Sequence, residues 1–312
     1  MRLQNRTAHA RIAGLALVAI ALTGCGASAP TPTPAPSFTQ APVVTPAPTP
    51  APTPLANPNL ILATTTSTQD SGLLDVLVPA FEAATGYIVK TVAVGSGQAI
   101  KMGETGDADV LLVHSPAAEK TFMETGKGLS RTLVMHNSFL IVGPAADPAG
   151  IKGMTSAVDA FKKIQAAGAT FVSRGDGSGT ETKELGYWKK AAIEPAGDWY
   201  LQAGQGMAAT LRIASEKTAY TLVDIATWAA TKKDLALVDL VTDDTSLLNP
   251  YHVIPISATA FPKVNEAGGQ AFADFLLSAE AQAMIGAFGQ DTFGMQLFVP
   301  DAGKTESDLA KP

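Results

Sequence analysis

The chain is poor in the residues that most enzymes and metalloproteins rely on. It holds one cysteine, Cys25, in 312 residues, which excludes a disulfide framework and a thiolate metal cage. Four histidines, His9, His114, His136 and His252, lie far apart and form no H-x-x-x-H pair, so no metal centre and no cofactor is expected. A G-x-S-x-G nucleophile elbow is missing. Basic charge is also short, with 22 Lys and Arg against 28 Asp and Glu and a net charge of −6. That balance argues against nucleic acid and against a polybasic membrane surface.

The two ends of the usable sequence are sharply marked. "MRLQNRTAHAR" has three arginines and no acid, and the apolar run "IAGLALVAIAL" after it has eleven residues. That run is too short for a membrane span of about 20 residues. With "LTGC" closing it, residues 1–25 read as a signal peptide. A cysteine directly after Leu-Thr-Gly resembles the bacterial lipobox, so Cys25 is expected to carry lipid and become the new N-terminus. Residues 26–58 contain 11 of the 21 prolines and no charged side chain. Such a segment cannot bury a core and is expected to be an extended, disordered tether. Removing the leader's three arginines leaves 19 basic against 28 acidic residues, a mature net charge of −9. The expected location is the extracytoplasmic face of a bacterial cell membrane, held by the lipid anchor.

Residues 59–312 alternate between two apolar rhythms. "NLILA", "YIVKTVAV", "DVLLVH", "SFLIVG", "TFVSR", "AYTLVD", "LALVDL" and "YHVIPIS" read as strands. Segments with helical spacing lie between most of them, such as "GLLDVLVPAFEAATG", where Leu73, Leu74, Leu77, Val78 and Phe81 share one face. The alternation predicts an α/β fold of mostly parallel sheets flanked by helices. In such sheets ligands sit at the turns from strand to helix.

Three of those turns are rich in Gly, Ser and Thr: "ATTTSTQDSG", "VAVGSGQA" and "FVSRGDGSGTETK". Free N–H groups at a helix start bind anions, and small hydroxyls add donors without bulk. Arg174 in the third turn is a permanent, multi-donor cation. Each turn alone is explained by helix capping, and Arg174 alone by an ion pair with Asp176. Together the three suit a tetrahedral dianion. The first two turns lack a carboxylate, which favours an acceptor-only anion, although Asp70, Asp109 and Asp176 lie close in sequence. "GQGMAA" at residues 204–209 matches G-x-G-x-x-A, with Asp224 twenty residues after Gly204. In an exported chain it reads instead as a packed helix start or a further anion donor. His114 ends a strand beside the expected cleft, as a wall or capping residue or as a general base.

"LATTTSTQDSGLLD", "VAVGSGQAIKMGETGDADVLLVHSP", "FVSRGDGSGT" and "GDWYLQAGQGMAATL" together resemble the tungstate ABC-transporter substrate-binding protein family, whose hallmark is a T-T-T-S turn after the first strand. "SRGDGSGT" also resembles the R-x-D-G-S-G-T turn of phosphate-binding proteins. The resemblance implies a two-lobed type-II periplasmic-binding-protein fold, its lobes joined by two crossover strands. Lobe one would be 59–140 plus 251–301, lobe two 141–250, and 302–312 a tail. The motifs place Thr65, Thr66 and Ser67, then Ser96 and Gly97, on the anion from lobe one. Arg174, Ser178, Gly179 and Thr180 would close from lobe two, with Gly206 and Met207 as weaker candidates. The resemblance further implies a monomer that is no enzyme, captures tungstate and delivers it to an ABC permease driven by its ATPase. Molybdate or phosphate binding by the same fold, an anion sensor and an exported hydrolase are the alternatives.

Overall fold

A computed structural model describes residues 55–309. The leader, Cys25, nearly all of the tether and the last three residues lie outside the described residues. The first part of the fold comprises β1 (Asn59–Thr65), α1 (Thr66–Asp70), α2 (Leu74–Thr85), β2 (Ile88–Val94), α3 (Ser96–Thr105), β3 (Val110–Val113), α4 (Pro116–Glu124) and β4 (Thr132–Gly143). Next come α5 (Ala157–Ala166), β5 (Phe171–Ser173), α6 (Gly179–Lys190), β6 (Tyr200–Gln202), α7 (Met207–Glu216), β7 (Thr221–Asp224), α8 (Ile225–Thr231) and β8 (Val238–Val241). β9 (Leu248–Pro255), α9 (Glu266–Leu277), α10 (Ala279–Ala287), α11 (Gln290–Phe293), β10 (Val299–Pro300) and α12 (Glu306–Leu309) complete it.

β1 lies between β2 and β3 and pairs with both in parallel, as strands do when helices connect them. β5 and β6 are also parallel. The long strands β4 and β9 depart from the parallel rule. They pair antiparallel with each other, because one leaves the first half of the molecule and the other returns to it. β3, β7, β8 and β10 add to them antiparallel as well. The early part of β4, up to Ser138, runs beside β9, while Phe139–Gly143 pairs with β7 and β8. One strand thus belongs to two sheets.

The apolar faces follow that division. Leu60, Leu62, Leu77, Phe81, Phe272 and Leu276 are fully buried in one cluster. Ile100, Leu111, Val113, Phe122 and Ile254 bury the opposite face of the same strands. Beyond Phe139 a second pair of clusters takes over, one around Phe161, Phe171 and Trp188 and one around Val172, Met207, Leu211 and Val223. Each fully buried Leu or Phe contributes about 1.5–3 kcal/mol of transfer free energy, so each half is stabilised by a core of its own. Ala226 and Ala229 of α8 reach across into the first cluster. Of the tail, residues 302–309 include α12, whose Glu306 pairs with Arg131 and Lys120.

Candidate functional site

The hydroxyl run begins on the last residue of β1 and continues through a short helix, α1, rather than a loop. Thr65 caps that helix, its Oγ1 accepting from the Thr68 N–H at 3.2 Å. Its neighbours divide the remaining hydrogen bonds. Thr64 donates to the Leu112 carbonyl at 2.8 Å, and Thr68 Oγ1 lies 2.6 Å from Thr65 Oγ1. Those two hydroxyls are committed to the fold. Thr65 Oγ1 and Ser67 Oγ each lie 3.1 Å from His114 Nε2. Thr66 points at the other half of the molecule, where its Oγ1 accepts from Arg174 Nη2 at 3.1 Å.

Arg174 follows β5 and is 2 % exposed. A buried guanidinium needs partners on every side. Its Nε donates to the Gln205 carbonyl at 2.9 Å, and Nη2 meets Asp176 Oδ2 at 2.5 Å. Asp176 therefore orients the guanidinium, while its Oδ1 accepts from the Ser178 N–H at 3.2 Å. The turn that carries these groups needs two left-handed residues, Gly175 at φ +61° and Gly177 at φ +70°, a conformation that costs glycine little. Ser178 then caps α6, accepting from the Glu181 N–H at 3.2 Å.

The α6 start presses on the first half of the molecule. A Cβ on Gly179 would lie 2.8 Å from Ser96 Oγ and 2.9 Å from the His114 carbonyl, so only glycine fits there. The Gly97 N–H donates across to the Gly177 carbonyl at 3.2 Å. Gly206 caps α7, and a Cβ on it would stand 3.6 Å from Thr66. Met207, the first residue of α7, is fully buried. All eleven residues singled out in the sequence therefore lie at or beside one junction: Thr65–Ser67, Ser96 and Gly97 from one side; Arg174, Ser178–Thr180, Gly206 and Met207 from the other.

Two hydroxyls at this junction, Ser96 Oγ and Thr180 Oγ1, are buried and meet no protein partner. Buried polar atoms are paired in nearly all proteins; Asn137 Nδ2 and Ser173 Oγ are likewise without a partner among the described residues, but Ser96 and Thr180 are the ones at the starts of helices α3 and α6. Of the three acids close in sequence, Asp70 accepts from the Ala208 N–H, and burial raises its pKa while the Arg174 and Arg212 charges oppose the rise. Asp176 is held by Arg174 and Ser178, and Asp109 accepts from the Ile61 and Asn265 N–H groups at 2.6 and 2.7 Å. Asp224 is fully buried and raised above the ordinary carboxylate range by desolvation; it caps α8 through the Thr227 N–H. Its place twenty residues after Gly204 thus reflects capping.

Sequence reasoning did not find Asn137 and Asn249. Both are buried, and Asn249 Oδ1 lies 3.0 Å from His114 Nδ1. The only signal was a polar residue at the edge of each apolar crossover, in "HNSFLIVG" and "LNPYHVIP". Burial pulls the His114 pKa down to about 4, with the Asn249 hydrogen bond opposing it and Arg174 adding to the fall. A cavity of about 180 Å³ lies alongside, lined by His114, Phe139, Gly179, Lys183 and Asn249 among others. Burial lowers the pKa of Lys183 to about 8. Among the described residues no group of three or more His, Cys, Asp or Glu side chains is placed to hold a metal ion.

Comparison with known proteins shows the family. The PBP superfamily domain matches residues 39–280. A curated relative, the tungstate-binding protein TupA of Peptoclostridium acidaminophilum, is 49 % identical over 251 residues, which is 80 % of this chain and 88 % of that protein. The solved tungstate-binding protein TupA from Desulfovibrio alaskensis G20 is 46 % identical with a TM-score of 0.65, covering 78 % of this chain and 99 % of its own. The solved structure of a tungstate ABC transporter from Geobacter sulfurreducens is 44 % identical with a TM-score of 0.68, covering 74 % and 98 %. The chain belongs to the PBP superfamily and, within it, to the family of tungstate ABC-transporter substrate-binding proteins.

Proposed function

We propose that the chain captures tungstate outside the cytoplasm and delivers it to an ABC permease and its ATPase. The observation that carries the site is the pair of unpartnered buried hydroxyls, Ser96 and Thr180, at the starts of α3 and α6, where Gly179 packs against Ser96 and the same turn carries the buried Arg174. They offer donors and fixed positive charge, and Asp176, next to Arg174, is occupied by Arg174 and the Ser178 N–H. A protonated oxyanion such as hydrogen phosphate would need a free acceptor there. Tungstate, molybdate and sulfate need only donors.

The grip is built from Thr65, Thr66, Ser67 and Ser96 on lobe one, with Arg174, Ser178, Gly179 and Thr180 closing from lobe two. The Gly97 N–H, which meets Gly177, serves to join the lobes, while Gly206 and Met207 back Thr66. The lobes are 59–140 plus 251–301 and 141–250, with β4 and β9 as the crossovers. Two crossings permit hinge bending with little internal rearrangement. Binding needs no covalent step, so the protein acts as a carrier rather than an enzyme; it works as a monomer, anchored by lipid on Cys25 through the proline-rich tether.

Thermal unfolding of the protein with tungstate, molybdate, sulfate or phosphate tests this reading. Ligand at about 1,000 times its dissociation constant adds roughly 4 kcal/mol, a shift on the order of 10 °C for a protein of this size. Micromolar tungstate is expected to give that shift, with little from sulfate or phosphate, and molybdate is then ranked by competition calorimetry. A shift with phosphate alone would reassign the protein to phosphate, and no shift with any oxyanion would overturn capture.

A further inference from the structure

We infer that His114 is a positioning residue: it ties the grip hydroxyls Thr65 and Ser67 to the paired asparagines Asn137 and Asn249 on the two crossover strands. The inference rests on the assignment of Thr65, Ser67 and Arg174 to the anion grip.

The chain of hydrogen bonds is continuous. Asn137 and Asn249 face each other in the β4–β9 register. Asn249 Nδ2 donates to Asn137 Oδ1 at 2.8 Å and to the Tyr251 hydroxyl at 3.2 Å. Both amide hydrogens are then used, which leaves Asn249 Oδ1 toward His114 Nδ1 at 3.0 Å. An amide oxygen only accepts, so Nδ1 carries the imidazole proton and Nε2 is bare. Nε2 offers one lone pair to the two hydroxyls that lie 3.1 Å away, those of Thr65 and Ser67. Thr65 is fixed further by the Thr68 N–H and by Thr68 Oγ1. Only one of the two hydroxyls can give its proton to His114 at a time, so the other keeps its proton for the cleft or for its neighbour.

Packing holds this arrangement. The imidazole is 3 % exposed and lies 4.7 Å from the Tyr251 ring, centroid to centroid. A desolvated imidazole surrounded by these groups stays neutral, so the tautomer and not the charge is what the crossovers set. On its third side His114 abuts the α6 start at Gly179. The same ring therefore touches the lobe-one grip, a crossover strand and lobe two, and a change in the β4–β9 pairing reaches the hydroxyls through it.

Two measurements test the relay. In calorimetry of the full chain with tungstate, Asn249→Ala is expected to weaken binding about tenfold without touching the anion. Ser67→Ala should then cost markedly less in the Asn249→Ala background than in the parent, since residues in one network couple. Fold losses that multiply within about twofold would overturn the relay. If Arg174→Ala and Ser67→Ala alone left affinity unchanged, the grip assignment would fail instead. The second measurement needs no variant and so does not depend on folding of a mutant. Imidazole nitrogen NMR of the parent should show His114 protonated at Nδ1 and bare at Nε2, with the Nε2 signal moving when tungstate binds. A proton on Nε2, or a signal indifferent to tungstate, would overturn the relay.

Discussion

Arg174 concentrates the argument at the scale of single residues. Its guanidinium is buried, bound to Asp176 and aimed across the junction at Thr66. A charge-assisted hydrogen bond contributes roughly twice what a neutral one does. Arg174→Ala is therefore expected to weaken tungstate binding by at least about tenfold more than Thr66→Ala, because it also leaves the Asp176 charge unopposed beside a dianion. Arg174→Lys should recover only part, since an ammonium lacks the planar fork that reaches Gln205, Thr66 and Asp176 together. Calorimetry decides the matter, and an Arg174→Ala affinity within about threefold of the parent would remove arginine from the site. The residue types at this junction were legible in the sequence, because Ser, Thr, Gly and Arg before helices have few other uses in combination. Which hydroxyls remain free was not legible. Thr64 is used by Leu112 and Asp109 by Ile61 and Asn265, partners at least 48 residues away that no local pattern reveals.

Elements were read where their apolar period ran long enough. α2, α3, α5, α6, α7, α9 and α10 each present a repeated apolar or capped pattern, β3 is buried throughout, and β1 is buried over its last four residues, from Leu62 to Thr65. The short pieces escaped. α1 is five residues of hydroxyl and polar side chains, and β6 is three half-exposed residues held mainly by its neighbour β5. β4 proved twice as long as its apolar core, because His136 and Asn137 lie on the strand where it pairs with β9. At this scale capping and ligand binding can be separated. Ser156 caps α5 far from the grip, and Ser178 caps α6 within it, with the same 3.2 Å bond to the third helical N–H. Loss of such a cap costs about 1 kcal/mol, or about 2–4 °C at this size. Both Ser→Ala variants should melt lower without ligand by that amount, yet only Ser178→Ala should lose tungstate affinity. Equal affinities in the two variants would reduce Ser178 to a cap.

At the scale of the whole molecule, the question is how a protein of net charge −6 would hold a dianion. Repulsion from the total charge is screened over about 8 Å at physiological salt, so local groups decide. In the grip proposed above the groups are divided: Thr65, Thr66, Ser67 and Ser96 would supply neutral hydroxyls from one side, and the buried Arg174 a permanent charge from the other. On that proposal lobe one alone would receive the anion weakly, and the full attraction would be realised only when Arg174 and the α6 start came against it. A ligand shifts a conformational equilibrium only through such differential affinity. Tungstate should therefore reduce the radius of gyration of the parent in small-angle X-ray scattering. Arg174→Ala, at tungstate concentrations that saturate its weakened site, should compact less. Equal compaction in the two would show that closure is driven by contacts such as Gly97 to Gly177 and that arginine adds affinity without moving the lobes.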